Sequence, residues 1–89
     1  MQIDFTVQVW REGKDYIAHA MPLDLASAGP TPAEAREALN EAVRLFLRTA
    51  EDQGTLKEVL EEAGYVLDGT QWRSPAWVGI ERVSATVGA

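Results

Sequence analysis

Eighty-nine residues allow one domain, 1–89, and a chain this short buries only ~60–65% of the surface its unfolded form exposes, which invites self-association. The absence of cysteine excludes disulfides, thiolate zinc sites and thiol nucleophiles and fits a cytoplasmic home, while 46% apolar residues argue against disorder. With eight Lys and Arg against fourteen Asp and Glu, the net charge of −6 argues against direct nucleic-acid binding and suits either solubility or a basic protein partner.

The start, Met1-Gln2-Ile3-Asp4, lacks the basic residues and apolar stretch of a signal peptide, and no run of ~18 apolar residues is available to span a membrane. Ile3, Phe5, Val7 and Val9 alternate with Asp4, Thr6, Gln8 and Trp10, the period-2 pattern of a strand with one buried face. Glu12-Gly13-Lys14-Asp15 supplies a turn, with Gly13 as the first central residue of a type II′ hairpin. A second strand runs from about 16 to 21, and Pro22 ends it or places it at an edge. The two-residue turn sets a register. Val9 faces Ala18 and Val7 faces Ala20 on one side, where small alanines leave room for a helix. Trp10 lies beside Ile17, Gln8 beside His19 and Thr6 beside Met21 on the other. A third strand over 23–28 carries Leu23, Leu25 and Ser27 on one side, and Gly29-Pro30 breaks it.

Thr31-Pro32-Ala33-Glu34 opens a helix. The Thr31 hydroxyl can accept the Glu34 amide while the Glu34 carboxylate reaches back, a capping box with Pro32 at the first helical position. Ala35, Ala38, Leu39, Ala42, Val43, Phe46 and Leu47 follow at helical spacing, opposite Arg36, Glu37, Asn40, Glu41, Arg44 and Arg48. The pattern continues to about 50, with Gly54 as a stop. Thr55-Leu56-Lys57-Glu58 repeats the capping pattern for a short second helix, whose stripe of Leu56, Val59, Leu60 and Ala63 must dock and which Gly64 closes. Tyr65-Val66-Leu67 is briefly extended, Asp68-Gly69-Thr70 is a turn, and Trp72 begins another extended piece that Ser74-Pro75 interrupts. From 77 to 87 the chain is β-rich, with Val78 and Ile80 in one phase and Val83, Ala85 and Val87 in the other. The change near Glu81-Arg82 predicts a bulge or bend. The expected order is β-β-β-α-α-β, an α+β fold.

Chemistry-bearing groups are sparse. His19 is the one histidine, and a base without a converging nucleophile is a poor catalyst. One imidazole and no thiolate cannot build a zinc site. Glu37, Glu41, Glu58, Glu61 and Glu62 fall at helix-exposed spacing, which reads as a solvated face rather than a hard-cation site. An anion at the helix start near Thr31 would compete with the cap for amide donors. No catalytic, cofactor-binding or metal residue is therefore expected. The tryptophans are more informative. Trp10 is in phase with polar residues, and two readings stand: an interface aromatic, or a ring covered by the C-terminal segment through Trp72 or Trp77. Stacking on RNA bases is disfavoured by the shortage of basic residues.

The hairpin with Tyr16-Ile17-Ala18, then Pro22-Leu23-Asp24-Leu25, then Gly29-Pro30-Thr31-Pro32-Ala33-Glu34-Ala35 before an amphipathic helix resembles the HicB-like antitoxin family over about residues 5–50. Gly29-Pro30-Thr31 stands where that family usually has Gly-Asp-Thr. The stretch from Thr55 through Tyr65, then Trp72 to Arg82, looks like small stand-alone HicB-related proteins. The resemblance implies a partial ribonuclease-H-like β-β-β-α-(α)-β arrangement: an antiparallel sheet, one long helix packed on one face and a short second helix. It also implies a non-catalytic protein-interaction domain that binds and neutralises a HicA-type toxin, a small basic ribonuclease. Residues 65–89 read as β, so the DNA-binding region of full-length antitoxins is not expected. A homodimer is expected, with Trp10, Ile17, His19, Met21, Trp72 and Trp77 as candidate interface residues and Thr31 and Glu34 as the helix cap. The alternatives are an orphan ligand-sensing or structural domain with a cleft near Thr31, and a nuclease with residual metal chemistry at Asp4 or Asp24.

Overall fold

In a computed structural model, which describes residues 1–88, the alternating stretch at the start of the chain serves two sheets rather than one. β1 (Gln2–Ile3) runs parallel to β6 (Gln71–Arg73), while β2 (Thr6–Glu12) pairs antiparallel with β3 (Asp15–Met21). The single strand expected from residue 3 to 10 is thus divided at Asp4-Phe5. Asp4 is the pivot. Its N–H donates to the Trp72 carbonyl at 3.4 Å, its carbonyl accepts the Tyr65 hydroxyl at 2.5 Å, and its Oδ1 accepts the Ser74 N–H at 2.7 Å.

The β2–β3 hairpin has the register that its turn dictates. Val9 opposes Ala18, Val7 opposes Ala20, Trp10 opposes Ile17, Gln8 opposes His19 and Thr6 opposes Met21. Gly13 sits at φ 60, whereas Lys14 does not take positive φ, the backbone combination of a II′ turn. β4 (Leu25–Gly29) joins the other side of β3, giving the order β2-β3-β4. It begins later than the expected 23–28 strand because residues 22–24 form the connecting turn. Asp24 lies there at φ 60, with its N–H on the Ala20 carbonyl at 2.8 Å.

The long helix α1 (Pro32–Asp52) starts where Thr31 accepts the Glu34 N–H at 3.1 Å. The return bond from the Glu34 carboxylate is not among the hydrogen bonds of the described residues, so the capping box is half made. Ala35, Leu39 and Val43 press onto Ala18 and Ala20, all of them almost wholly buried, with Phe5, Val7, Val9, Tyr16, Leu23, Leu25 and Leu47 around them. The alanines let the helix axis come close to the sheet. Burial of side chains such as Leu39 stabilises this contact by about 1.5–3 kcal/mol each.

The short helix α2 (Leu56–Glu62) has no side-chain cap. The hydroxyl of Thr55 donates instead to the Ala50 carbonyl at 3.3 Å, near the end of α1, which also accepts the Thr55 N–H at 2.9 Å. The second capping box is therefore not formed. Leu60 meets Tyr65 and Trp72 in a second buried cluster, edged by Ile3, Leu23, Leu47, Leu56 and Ala63. β5 (Val66–Asp68) and β6 make a hairpin through Gly69-Thr70, and β1 completes the order β1-β6-β5.

Residues 74–88 form no regular secondary structure. The strand expected over 77–87 is corrected: apolar alternation makes a strand only when the segment pairs with a neighbour, and this segment lies on no ladder within the chain. The order is β-β-β-β-α-α-β-β rather than β-β-β-α-α-β. The chain is α+β, with one antiparallel sheet carrying the long helix on one face and one small mixed sheet. Among the described residues no helix is long and apolar enough to cross a membrane.

Candidate functional site

On β2-β3-β4, the side chains out of phase with Val7, Val9, Ala18 and Ala20 point away from α1. The register sets them in rows: Trp10, Ile17 and Ala28; Gln8, His19 and Ala26; Thr6 and Met21. Ala26 and Ala28 are exposed and leave the β4 edge of this face low, with Trp10, 39% exposed, standing on β2 at the opposite edge. Ile17, His19 and Met21 are half-buried.

His19 is held from two directions. Its ring meets the Trp10 ring edge-on, with centroids 5.9 Å apart and planes at 62°. Its Nε2 lies 2.6 Å from Oδ1 of Asp24. The αL backbone of Asp24, fixed by its N–H on Ala20, turns that carboxylate toward His19. The indole N–H of Trp10 donates to Oε1 of Glu12 at 3.0 Å. The result is a braced aromatic and imidazole patch with carboxylates at its rim. Bracing of this kind lowers the entropy lost when a partner fixes the rings.

Of the sequence-predicted residues, Trp10, Ile17, His19 and Met21 come together on this one face. Trp72 does not. It is 7% exposed in the cluster with Leu60 and Tyr65, so its place among the surface candidates is corrected to a core position. Trp77 lies in the segment after β6 and is 45% exposed. At the start of α1 Thr31 caps the Glu34 N–H, and the Glu34 side chain adds no return bond among the described residues. Of Asp4, Asp15 and Asp24, the carboxylates that folding could have brought to His19, it is Asp24 that reaches it, whereas Glu12, which holds Trp10, was not singled out by sequence. The signal for Asp24 was its position five residues after His19 across a tight turn.

Asp4 and Asp24 have structural duties, one toward Ser74 and one toward His19. Among the described residues no three His, Cys, Asp or Glu side chains are grouped to hold a metal ion. Two open grooves flank α1. One, of about 600 Å³, has Ile3, Phe5, Val43, Leu47 and Leu56 in its wall. The other, of about 610 Å³, runs past Ser27, Ala38, Ala42 and Leu45. Arg44 and Arg48 border both.

One titratable group carries a clear shift. The Tyr65 hydroxyl is pushed up to about 12, first by burial and then by the Asp4 carboxylate. The folded value lies above the unfolded value of ~10. This contribution to stability is therefore complete below pH ~10 and is lost as the pH rises toward 12. Tyr65→Phe is expected to cost about 0.5–1.5 kcal/mol at pH 8, through loss of the bond to the Asp4 carbonyl, and to remove this part of the alkaline decline. Urea unfolding at pH 8 and pH 11 measures both. An alkaline decline unchanged in the variant would show that Tyr65 does not contribute to it.

Comparisons with protein-family models, with curated proteins and with solved structures give no match.

Proposed function

We propose that this chain is a HicB-like protein-interaction domain, and that it binds and neutralises a small basic ribonuclease through the outer face of β2-β3-β4. The observation that carries this reading is Trp10: a tryptophan 39% exposed, braced by Glu12 and His19, beside Ile17 and Met21 on the face turned away from α1. Aromatic anchors surrounded by partly buried apolar residues are the usual centre of a binding surface. Glu12, Asp15 and Asp24 supply negative charge at its edges, and the net charge of −6 favours encounter with a basic partner. Seating such a partner over this face excludes its RNA by occupancy and requires no chemistry from His19. The hairpin and the Thr31 helix start, which carry the family resemblance, build the scaffold beneath the face.

The test begins with a short basic open reading frame beside this one in the native genome. Expressed alone it should arrest growth, and co-expression of this chain should restore it. In the purified complex Trp10→Ala should weaken binding by at least ~30-fold, while changing unfolding stability by no more than about 0.5 kcal/mol. Growth arrest unrelieved by this chain would overturn the antitoxin reading. A complex indifferent to Trp10→Ala would remove this face from it. A ligand-sensing domain is the second reading, and it draws on the ~600 Å³ groove along α1, with its apolar wall and the nearby Arg44 and Arg48, rather than on a cleft at Thr31.

A further inference from the structure

Residues 77–87 expose an unusual amount of apolar surface. Trp77, Val78, Ile80, Val83 and Val87 are 45%, 100%, 76%, 79% and 94% exposed. A continuous exposed run of this kind marks an interaction segment. Its composition is that of a strand, yet it pairs with nothing in its own chain. The Cα radius of gyration is 15.5 Å, against ~12 Å for a compact chain of this length, which fits an arm carried away from the body. The root of the arm is fixed where the Ser74 N–H meets Asp4.

The body offers this arm a complementary seat. β4 is an open edge of the β2-β3-β4 sheet, and its sequence Leu25-Ala26-Ser27-Ala28-Gly29 contains no charge and no proline. Sheet edges are ordinarily blunted by such residues, so an unguarded one is a template for a further strand. The opposite edge, β2, carries Arg11 and Glu12. The ~610 Å³ groove past Ser27, Ala38 and Ala42 lies between β4 and α1, with Leu45 of α1 at its side and 66% exposed. A strand laid on β4 would satisfy the free main-chain groups of the edge and send alternate side chains toward this groove.

We infer that residues 77–87 add as a strand to β4 of a second copy of this chain, exchanged reciprocally about a two-fold axis. The occupant follows from the arm's size and its unpaired strand composition. Eleven arm residues, with the strand and groove they cover on the other copy, bring about 20 residues a side, the extent of a standard stable interface. Reciprocity doubles every contact in a closed dimer. Charges of both signs stand on each side, Glu81 and Arg82 in the arm and Glu41 with Arg44 and Arg48 at the groove, so two copies can meet without net repulsion. The seat is the free edge and groove of β4, at the far side of the sheet from Trp10, and the test reads mass alone, so its failure is distinguishable from failure of the toxin reading.

The test is size-exclusion chromatography with light scattering on the full chain, from 1 to 100 µM. A mass twice the 9.8 kDa of one chain is expected. Ile80→Asp in the arm and Leu45→Lys at the groove should each weaken the dimer by at least ~30-fold, with unchanged far-UV circular dichroism. Both positions are exposed in the single chain, so neither substitution should disturb its folding. A monomer at 100 µM overturns the inference, as does a dimer that survives either substitution.

Discussion

Trp72→Ala is expected to cost about 3–5 kcal/mol, the largest loss from any of the three tryptophans. Trp72 is 7% exposed, and with Leu60 and Tyr65 it forms the cluster against which α2 and the β5–β6 hairpin are held. A helix of one to two turns and a pair of three-residue strands have little stability of their own. Their persistence therefore depends on this ring. A domain of this size has only about 5–15 kcal/mol in total, so a large share would be lost. Urea unfolding monitored by far-UV circular dichroism gives the number, with Trp77→Ala as a control expected to stay within about 0.5 kcal/mol. A Trp72→Ala cost below ~1 kcal/mol would mean that the second cluster does not hold these elements.

Gly29→Ala should destabilise by about 2 kcal/mol, for a different reason. A Cβ at Gly29 would lie 2.7 Å from the Ala35 nitrogen and 2.9 Å from the Glu34 carbonyl carbon. Both atoms belong to the main chain of the first turn of α1, so no side chain can swing aside. Either β4 or the helix start must shift, and the Thr31 cap sits at that point. The backbone at Gly29 is ordinary, unlike that at Gly13, where positive φ is the requirement and no atom lies within 4 Å. The steric origin predicts a melting temperature lower by roughly 8–16 °C for Gly29→Ala. An unchanged melting temperature would show that β4 and α1 are free to separate there.

These two residues mark what could be read from the chain and what could not. The β2–β3 register was legible because a two-residue turn leaves one pairing, and because Ala18 and Ala20 occur together on the face a helix must approach. The start of α1 was legible because Thr31 and Pro32 satisfy local needs of a helix terminus. The close approach of Gly29 to Ala35 was not, since a glycine before a proline is also a common breaker. The division at Asp4 was hidden because Ile3 and Phe5 keep their alternation across it. The division depends on Trp72 and Tyr65, more than sixty residues away. Trp72 between Gln71 and Arg73 had the polar-apolar-polar pattern of a half-buried strand, whereas Trp10 stood in the polar phase of its own. That difference in phase, rather than residue type, separates the core ring from the surface ring. Trp10, Ile17, His19 and Met21 came together because one register governs all four. Asp24 needed the left-handed turn backbone to reach His19, and periodicity does not report that.

The parallel pairing of Gln2 with Gln71 also sets an order of events in folding. β2, β3, β4 and α1 are neighbours in sequence, and each closes onto the last through a short connection. The β1–β6 contact closes a loop of about 70 residues, which costs ~1.7 kcal/mol more chain entropy than a loop of about 10. The hairpin and α1 should therefore assemble early, and this seam should close last and open first. Amide protons of β1 and β6 should exchange with solvent sooner than those of Ala18 or Leu39. Because Ser74 is tied to Asp4, each opening of the seam also frees the strand-like tail at its base, so the least secured joint of the fold governs how far that tail can travel.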